Sequence, residues 1–104
     1  MDSDAVSGFD WDDGNRIKCQ KHDLSLAEVE AVFSHSHHIA PDAAHSIVET
    51  RYLAIGSGGK ERPIFVSFTL RVSGNQTLIR PISARYMHQE EVEYYAQETA
   101  PTDQ

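Results

Sequence analysis

From Ile64 to Val72 the chain alternates without a break. Ile64, Val66, Phe68, Leu70 and Val72 share one parity, and Phe65, Ser67, Thr69 and Arg71 the other. A period of two with one apolar face describes a strand buried on one side and open on the other, as in antiparallel sheets. Ser73-Gly74-Asn75 is a turn signal, and Gln76–Ala84 reads as the returning strand. Pro81 falls inside that strand and has no N–H for a ladder, so it belongs at an edge or a bulge. Upstream, Ile47–Gly56 is a β-branched and aromatic run that ends at glycine, hence a further strand, with Ser57–Arg62 as the connecting turn.

The remaining elements are helical. Ser25 opens a helix with Glu28 three residues on, a capping box, and Leu26, Val29, Val32 and Phe33 form its apolar stripe. Before it, residues 9–22 read as a short extended start and a first helix. Asp12 or Asp13 accepts at its entry, and Lys21 and His22 lie at its exit, as the macrodipole favours. Residues 35–46 lack periodicity and read as a loop. A short helix over 88–97 turns Val92, Tyr95 and Ala96 inward and Glu90, Glu91 and Glu93 outward. The expectation is an α+β domain with two N-terminal helices, a three- to four-stranded antiparallel sheet and a short C-terminal helix. At 104 residues the chain has room for one core; residues 9–97 make the domain, 1–8 a disordered tail and 98–104 a frayed one.

Charge is segregated along the chain. Ile47–His88 carries six basic residues and two acidic ones, whereas the rest carries three basic and fourteen acidic, for a net charge of −7. The acidic balance argues against indiscriminate nucleic-acid binding, but a basic sheet remains to take a polyanion or a complementary protein. No apolar run reaches the roughly 18 residues of a membrane span. A single cysteine, Cys19, excludes an internal disulfide and fits a reducing cytoplasm.

Four segments in order, FDWDDGN…KCQKH, DAAHS…ETRYLAIG, RPIFVSFTLR and RPISARYMHQEE, resemble the BrnT family of type II toxins. The resemblance covers residues 9–97, and the ordered set ending in Ile82-Ser83-Ala84-Arg85 is its specific part. It implies a RelE-like fold, ribonuclease activity that arrests translation, and neutralisation by a BrnA-like antitoxin, with a 2:2 complex as one arrangement. DNA would be met only through the antitoxin, which carries the DNA-binding domain. Three positions depart from the pattern: Asp23 replaces the usual glycine after Lys21-His22, the second helix opens on the less acidic Leu26-Ala27-Glu28, and Gln89-Glu90-Glu91 makes an often basic last helix acidic.

Metal-independent RNA cleavage needs a base for the 2′-OH proton, a cation for the pentavalent phosphate and an acid for the 5′-oxygen. Arg80 and Arg85 are the best cations, since guanidinium grips phosphate with two bonds. Glu49 and Arg51 share a strand face, and His22, beside Lys21, matches the family's Lys-His pair. These give Arg80, Arg85, His22, Glu49 and Arg51 as catalytic candidates. Lys21, Lys60, Arg62, Tyr86 and His88 are the RNA-binding candidates. Each has a structural alternative: Arg80 as an ion-pair partner of Glu49, His22 as a cap on helix carbonyls, His88 as the start of the last helix, Lys60 and Arg62 as solvated turn charges. His35, His37, His38 and His45 suggest a metal, but a loop run with no cysteine and no fixed helical spacing is a weak signal for three or four converging ligands, so no metal or other cofactor is expected. Cys19 has no nucleophile motif around it. The alternative to a toxin is a catalytically weak interaction module that binds an antitoxin-like partner through its basic sheet, a reading the acidic last helix favours.

Overall fold

The computed structural model describes residues 6–35, 37–42, 49–59 and 62–99. In chain order these form β1 (Gly8–Phe9), α1 (Asp13–Gln20), α2 (Leu26–Ser34), β2 (His37–Pro41), β3 (Tyr52–Ser57), β4 (Pro63–Ser73), β5 (Gln76–Tyr86) and α3 (Gln89–Thr99). The alternating segment becomes β4 at the centre of a sheet ordered β1-β5-β4-β3-β2. Its parity sorts as expected over most of its length: Ile64, Val66 and Phe68 are buried against α2 and the rest of the core. Val72 departs and is 77% exposed. The reason is length: β3 begins at Tyr52, opposite Phe68, so the β4–β5 hairpin runs on past that strand. Thr69 departs the other way. It is buried because the chain entering β3 crosses it, and its hydroxyl donates to the Thr50 carbonyl at 2.7 Å.

An antiparallel sheet of three to four strands is corrected to a mixed sheet of five. β1 pairs parallel with β5, Gly8 opposite Leu78 and Phe9 opposite Ile79. Flanking bonds from Ser7 N to Thr77 O and Asp10 N to Ile79 O, each 2.8 Å, extend this short ladder. The fifth strand is β2, inside the stretch read as a loop. His37-His38-Ile39-Ala40-Pro41 has no apolar alternation, yet all five residues pair antiparallel with Gly56–Tyr52 of β3. Backbone pairing with a neighbouring strand outweighs side-chain pattern here. Residues 43–48, the start of the strand expected from Ile47, lie outside the described residues, and β3 itself begins at Tyr52. β5 continues past Ala84 to Tyr86.

Pro81 meets both of its permitted settings. It lies beyond the last residue paired to β1, and the β4–β5 register shifts there: Ser67 faces Ser83 while Phe68 faces Pro81, leaving Ile82 as the extra residue. The core is stitched across layers by aromatic rings. Phe33 of α2 meets Phe9 edge-on at 5.7 Å and Phe68 at 5.1 Å, and Tyr52 stacks on Phe68 at 5.4 Å. The capping box expected at Ser25 and Glu28 is present, with Val29 and Val32 buried below it.

Candidate active-site cleft

The sheet face turned away from α2 carries rows of side chains set by register. Leu53, Ser67 and Ser83 are cross-strand neighbours on β3, β4 and β5, and Phe65 and Arg85 form the next row. Paired residues point to the same side, so these rows make a floor. α1 supplies a wall. Its entry is fixed by Asp12, whose side chain accepts from Asn15 N at 3.0 Å while the Asn15 side chain accepts from Asp12 N at 2.7 Å. The buried Asn15 amide then donates to the carbonyls of Asp10 at 2.9 Å and Pro81 at 2.8 Å. Arg80 completes the clamp, with 2.7 Å to Asp12 and 3.5 Å to Asp10.

So held, α1 and the turn after it place Lys18, Lys21 and His22 over the floor. Together with Arg51, Leu53, Phe65, Ser67, Ser83, Arg85 and Asp42 they line a cleft of about 520 Å³. Four cationic side chains face it (Lys18, Lys21, Arg51, Arg85) against one carboxylate (Asp42). Lys18 and Lys21 have no carboxylate partner among the described residues. The turn that ends this wall is built on Asp23, whose φ of 67° is left-handed. Glycine adopts that conformation without strain, and aspartate is among the few side chains that tolerate it.

The model of the family "Ribonuclease toxin, BrnT, of type II toxin-antitoxin system" matches residues 11–91. The chain belongs to the BrnT family. Membership makes an RNA substrate and an antitoxin partner properties of the class to which this chain belongs. No curated protein matches the chain. Among the described residues no helix is long and apolar enough to cross a membrane.

Of the residues singled out in this BrnT chain by sequence, the fold brings Lys21, His22, Arg51 and Arg85 to one cleft. Others lie elsewhere. Arg80 is held by Asp10 and Asp12 rather than Glu49. The hydrogen bond to Asp12 raises its pKa, while the Asn15 backbone N–H first, and then Arg80, lower that of Asp12. Glu49 sits 3.7 Å from Arg51 and 3.4 Å from Arg71, beside the lining rather than in it. Tyr86 turns toward the core and donates its hydroxyl proton to Glu28, while Arg62 covers its ring at 4.8 Å and bonds the Met87 carbonyl. His88 is exposed just ahead of α3. Lys60 and His45 lie outside the described residues.

Glu91, expected to face outward, instead turns back to the sheet. Its two oxygens accept from Arg85 Nη1 and Nη2, each at 2.8 Å, and the Arg85 guanidinium also lies 4.7 Å over the Phe65 ring. The pair raises the Arg85 pKa and, with the His88 N–H, holds the Glu91 carboxyl down at about 2. Sequence reasoning missed Lys18, Ser67, Ser83 and Glu91. A signal existed for Lys18: Lys18, Lys21 and His22 stand at i, i+3 and i+4, one helix face. Parity placed Ser67 and Phe65 opposite the core as well, but no rule marked them as floor residues.

Proposed function

We propose that this chain is an endoribonuclease toxin that cleaves RNA in the cleft between α1 and the open sheet face. The observation that carries the reading is the meeting of Lys18, Lys21 and His22 with Arg51 and Arg85 in that cleft. His22 takes the 2′-OH proton as the 2′-oxygen attacks the adjacent phosphorus. Arg51 and Arg85 bear the charge of the pentavalent phosphate. The P–O5′ bond breaks, the 5′-oxygen takes a proton from Lys21, and the products are a 2′,3′-cyclic phosphate and a free 5′-hydroxyl. Lys18 extends the cationic track along the RNA backbone. Arg80 acts by holding α1, not by touching phosphate. Two helices ahead of an antiparallel β3–β4–β5 body support a RelE-like arrangement. A BrnA-like antitoxin, binding in the cytoplasm and covering the cleft, neutralises the toxin.

The test is cleavage of a defined RNA by the purified chain and by His22→Gln, Lys21→Ala and Arg51→Ala, with circular dichroism to verify folding. His22→Gln should lose on the order of 100-fold or more in kcat, as for a positioned general base. Each lost phosphate contact should lower the salt slope of RNA binding by about 0.7. Parental rates and slopes in all three variants would remove the cleft from consideration. A weak or inactive binding module is favoured by one observation, the filling of the Arg85 fork by Glu91.

A further inference from the structure

We infer that Glu91 is an internal competitor of the RNA phosphodiester at Arg85, and so sets the affinity of the cleft for its substrate. The inference rests on the cleft as the RNA site. A carboxylate and a phosphodiester present the same chemistry to a guanidinium: two oxygens spaced for two parallel N–H donors. Glu91 fills that arrangement, with both of its oxygens on the two terminal nitrogens of Arg85. Arg85 Nη1 also donates to the Tyr86 carbonyl at 3.2 Å, and the guanidinium face rests on Phe65, so the outward edge of the fork is the part Glu91 covers.

The carboxylate comes from the first turn of α3. Among its described side chains α3 contributes no residue to the buried core, and Glu91 links it to the sheet through the Arg85 ion pair. Glu91 has a second bond to keep when Arg85 lets go. Its Oε1 accepts from His88 N at 2.8 Å, which caps the first turn of α3. Release therefore needs a side-chain rotation and leaves the helix intact. A site whose competent state is only partly populated binds with its intrinsic affinity reduced by that fraction. Removing the competitor restores it by one factor, whatever the length of the RNA. A general change of charge acts otherwise: its effect grows with the number of phosphates nearby.

Glu91→Gln keeps the acceptor for His88 N and removes the charged fork. Glu90→Gln removes the same charge one residue away, on an exposed side chain. The experiment measures binding of 2′-O-methyl RNA, a dinucleotide and a long oligomer, and cleavage of the matching RNAs. Glu91→Gln is expected to tighten both and to raise kcat/KM about fivefold on both, the scale of a part-exposed ion pair. Glu90→Gln should leave the dinucleotide unmoved. Weaker binding or slower cleavage by Glu91→Gln would overturn the inference and make Glu91 a support for Arg85. An equal gain from Glu90→Gln would reduce the effect to bulk charge. The functional reading fails separately: tighter 2′-O-methyl RNA binding by Glu91→Gln with no cleavage by any variant leaves the competitor standing and removes the nuclease.

Discussion

Asn15 is the residue on which the cleft's wall depends, and Asn15→Ala tests that dependence. Its side chain makes three hydrogen bonds: it accepts from Asp12 N and donates to the carbonyls of Asp10 and Pro81. The reciprocal bond from Asn15 N to Asp12 survives in alanine, because it uses the backbone. Three neutral bonds at about 1 kcal/mol each give a loss of roughly 3 kcal/mol, two of them being donors to carbonyls at the α1–β5 seam. For a domain of this size that lowers Tm by on the order of 15 °C. Urea unfolding with an unchanged m-value gives the free energy directly. Asn15→Asp sharpens the test. It keeps the acceptor for Asp12 N but sets an acceptor against the Asp10 and Pro81 carbonyls, so at neutral pH it should be worse than alanine. RNA cleavage should fall in both variants under conditions where each remains folded, since Lys18 rides on the same helix and Lys21 and His22 on the turn that ends it. A loss below about 1 kcal/mol for alanine, or an Asn15→Asp as stable as the parent, would refute the clamp.

Asp23→Gly should stabilise the fold by about 0.5–1 kcal/mol in urea, because Asp23 holds a left-handed φ that glycine adopts without strain. Cys19 is fully buried and burial pushes its thiol up to about 11, so a disulfide reagent at pH 8 should leave it unlabelled until urea unfolds the chain. Glu91 titrates at about 2 and Asp12 is also lowered, so both folded values lie below their unfolded ones. Their stabilisation is present above the unfolded carboxylate range and is lost as pH falls from about 4.5 toward about 2. Arg85→Ala and Arg80→Ala should each flatten that acid limb in a pH series of thermal melts, and an unaltered limb in both would count against the pairs.

How far the fold could be read from the residues follows from where its information is local. The β4 alternation, the Ser25–Glu28 capping box and the Asp12 entry are short-range signals, and each appears at its position. β2 was illegible because HHIAP carries neither period nor propensity; its strand character exists only in hydrogen bonds to β3. β1 was legible as an extended start, but its parallel pairing depends on α1 lying along β5. The candidate site was legible in part for the same reason. Lys21, His22, Arg51 and Arg85 could be named one by one from chemistry, yet their meeting depends on long-range contacts of α1 with β5, the Asn15 bond to Pro81 and the Arg80 pairs among them.

The segment charge count pointed to a basic sheet, and the ion pairs change what that count means. Arg80, Arg85 and the Arg51–Arg71 pair each meet a carboxylate: Asp10 and Asp12, Glu91, and Glu49. All but Glu49 come from outside the basic segment, so folding returns the acids of the termini to the arginines of the strands. The cleft cations without a carboxylate partner among the described residues, Lys18 and Lys21, sit on α1 and at its C-terminal cap, in the part of the chain whose own count is strongly negative. The field an approaching polyanion meets is therefore set first by α1, and the sheet arginines become available only as their carboxylates yield. A substrate that engages the α1 lysines first would gain local concentration before it displaces Glu91, because short-range ion exchange at Arg85 is favoured once the phosphate is already held nearby. On this ordering, Lys18→Ala and Lys21→Ala should slow RNA association and flatten the dependence of its rate on RNA concentration, while Arg85→Ala should leave association fast and abolish turnover. Stopped-flow binding reads the two apart. Slow association in Arg85→Ala with a normal rate in the lysine variants would reverse the order and place the first contact on the sheet.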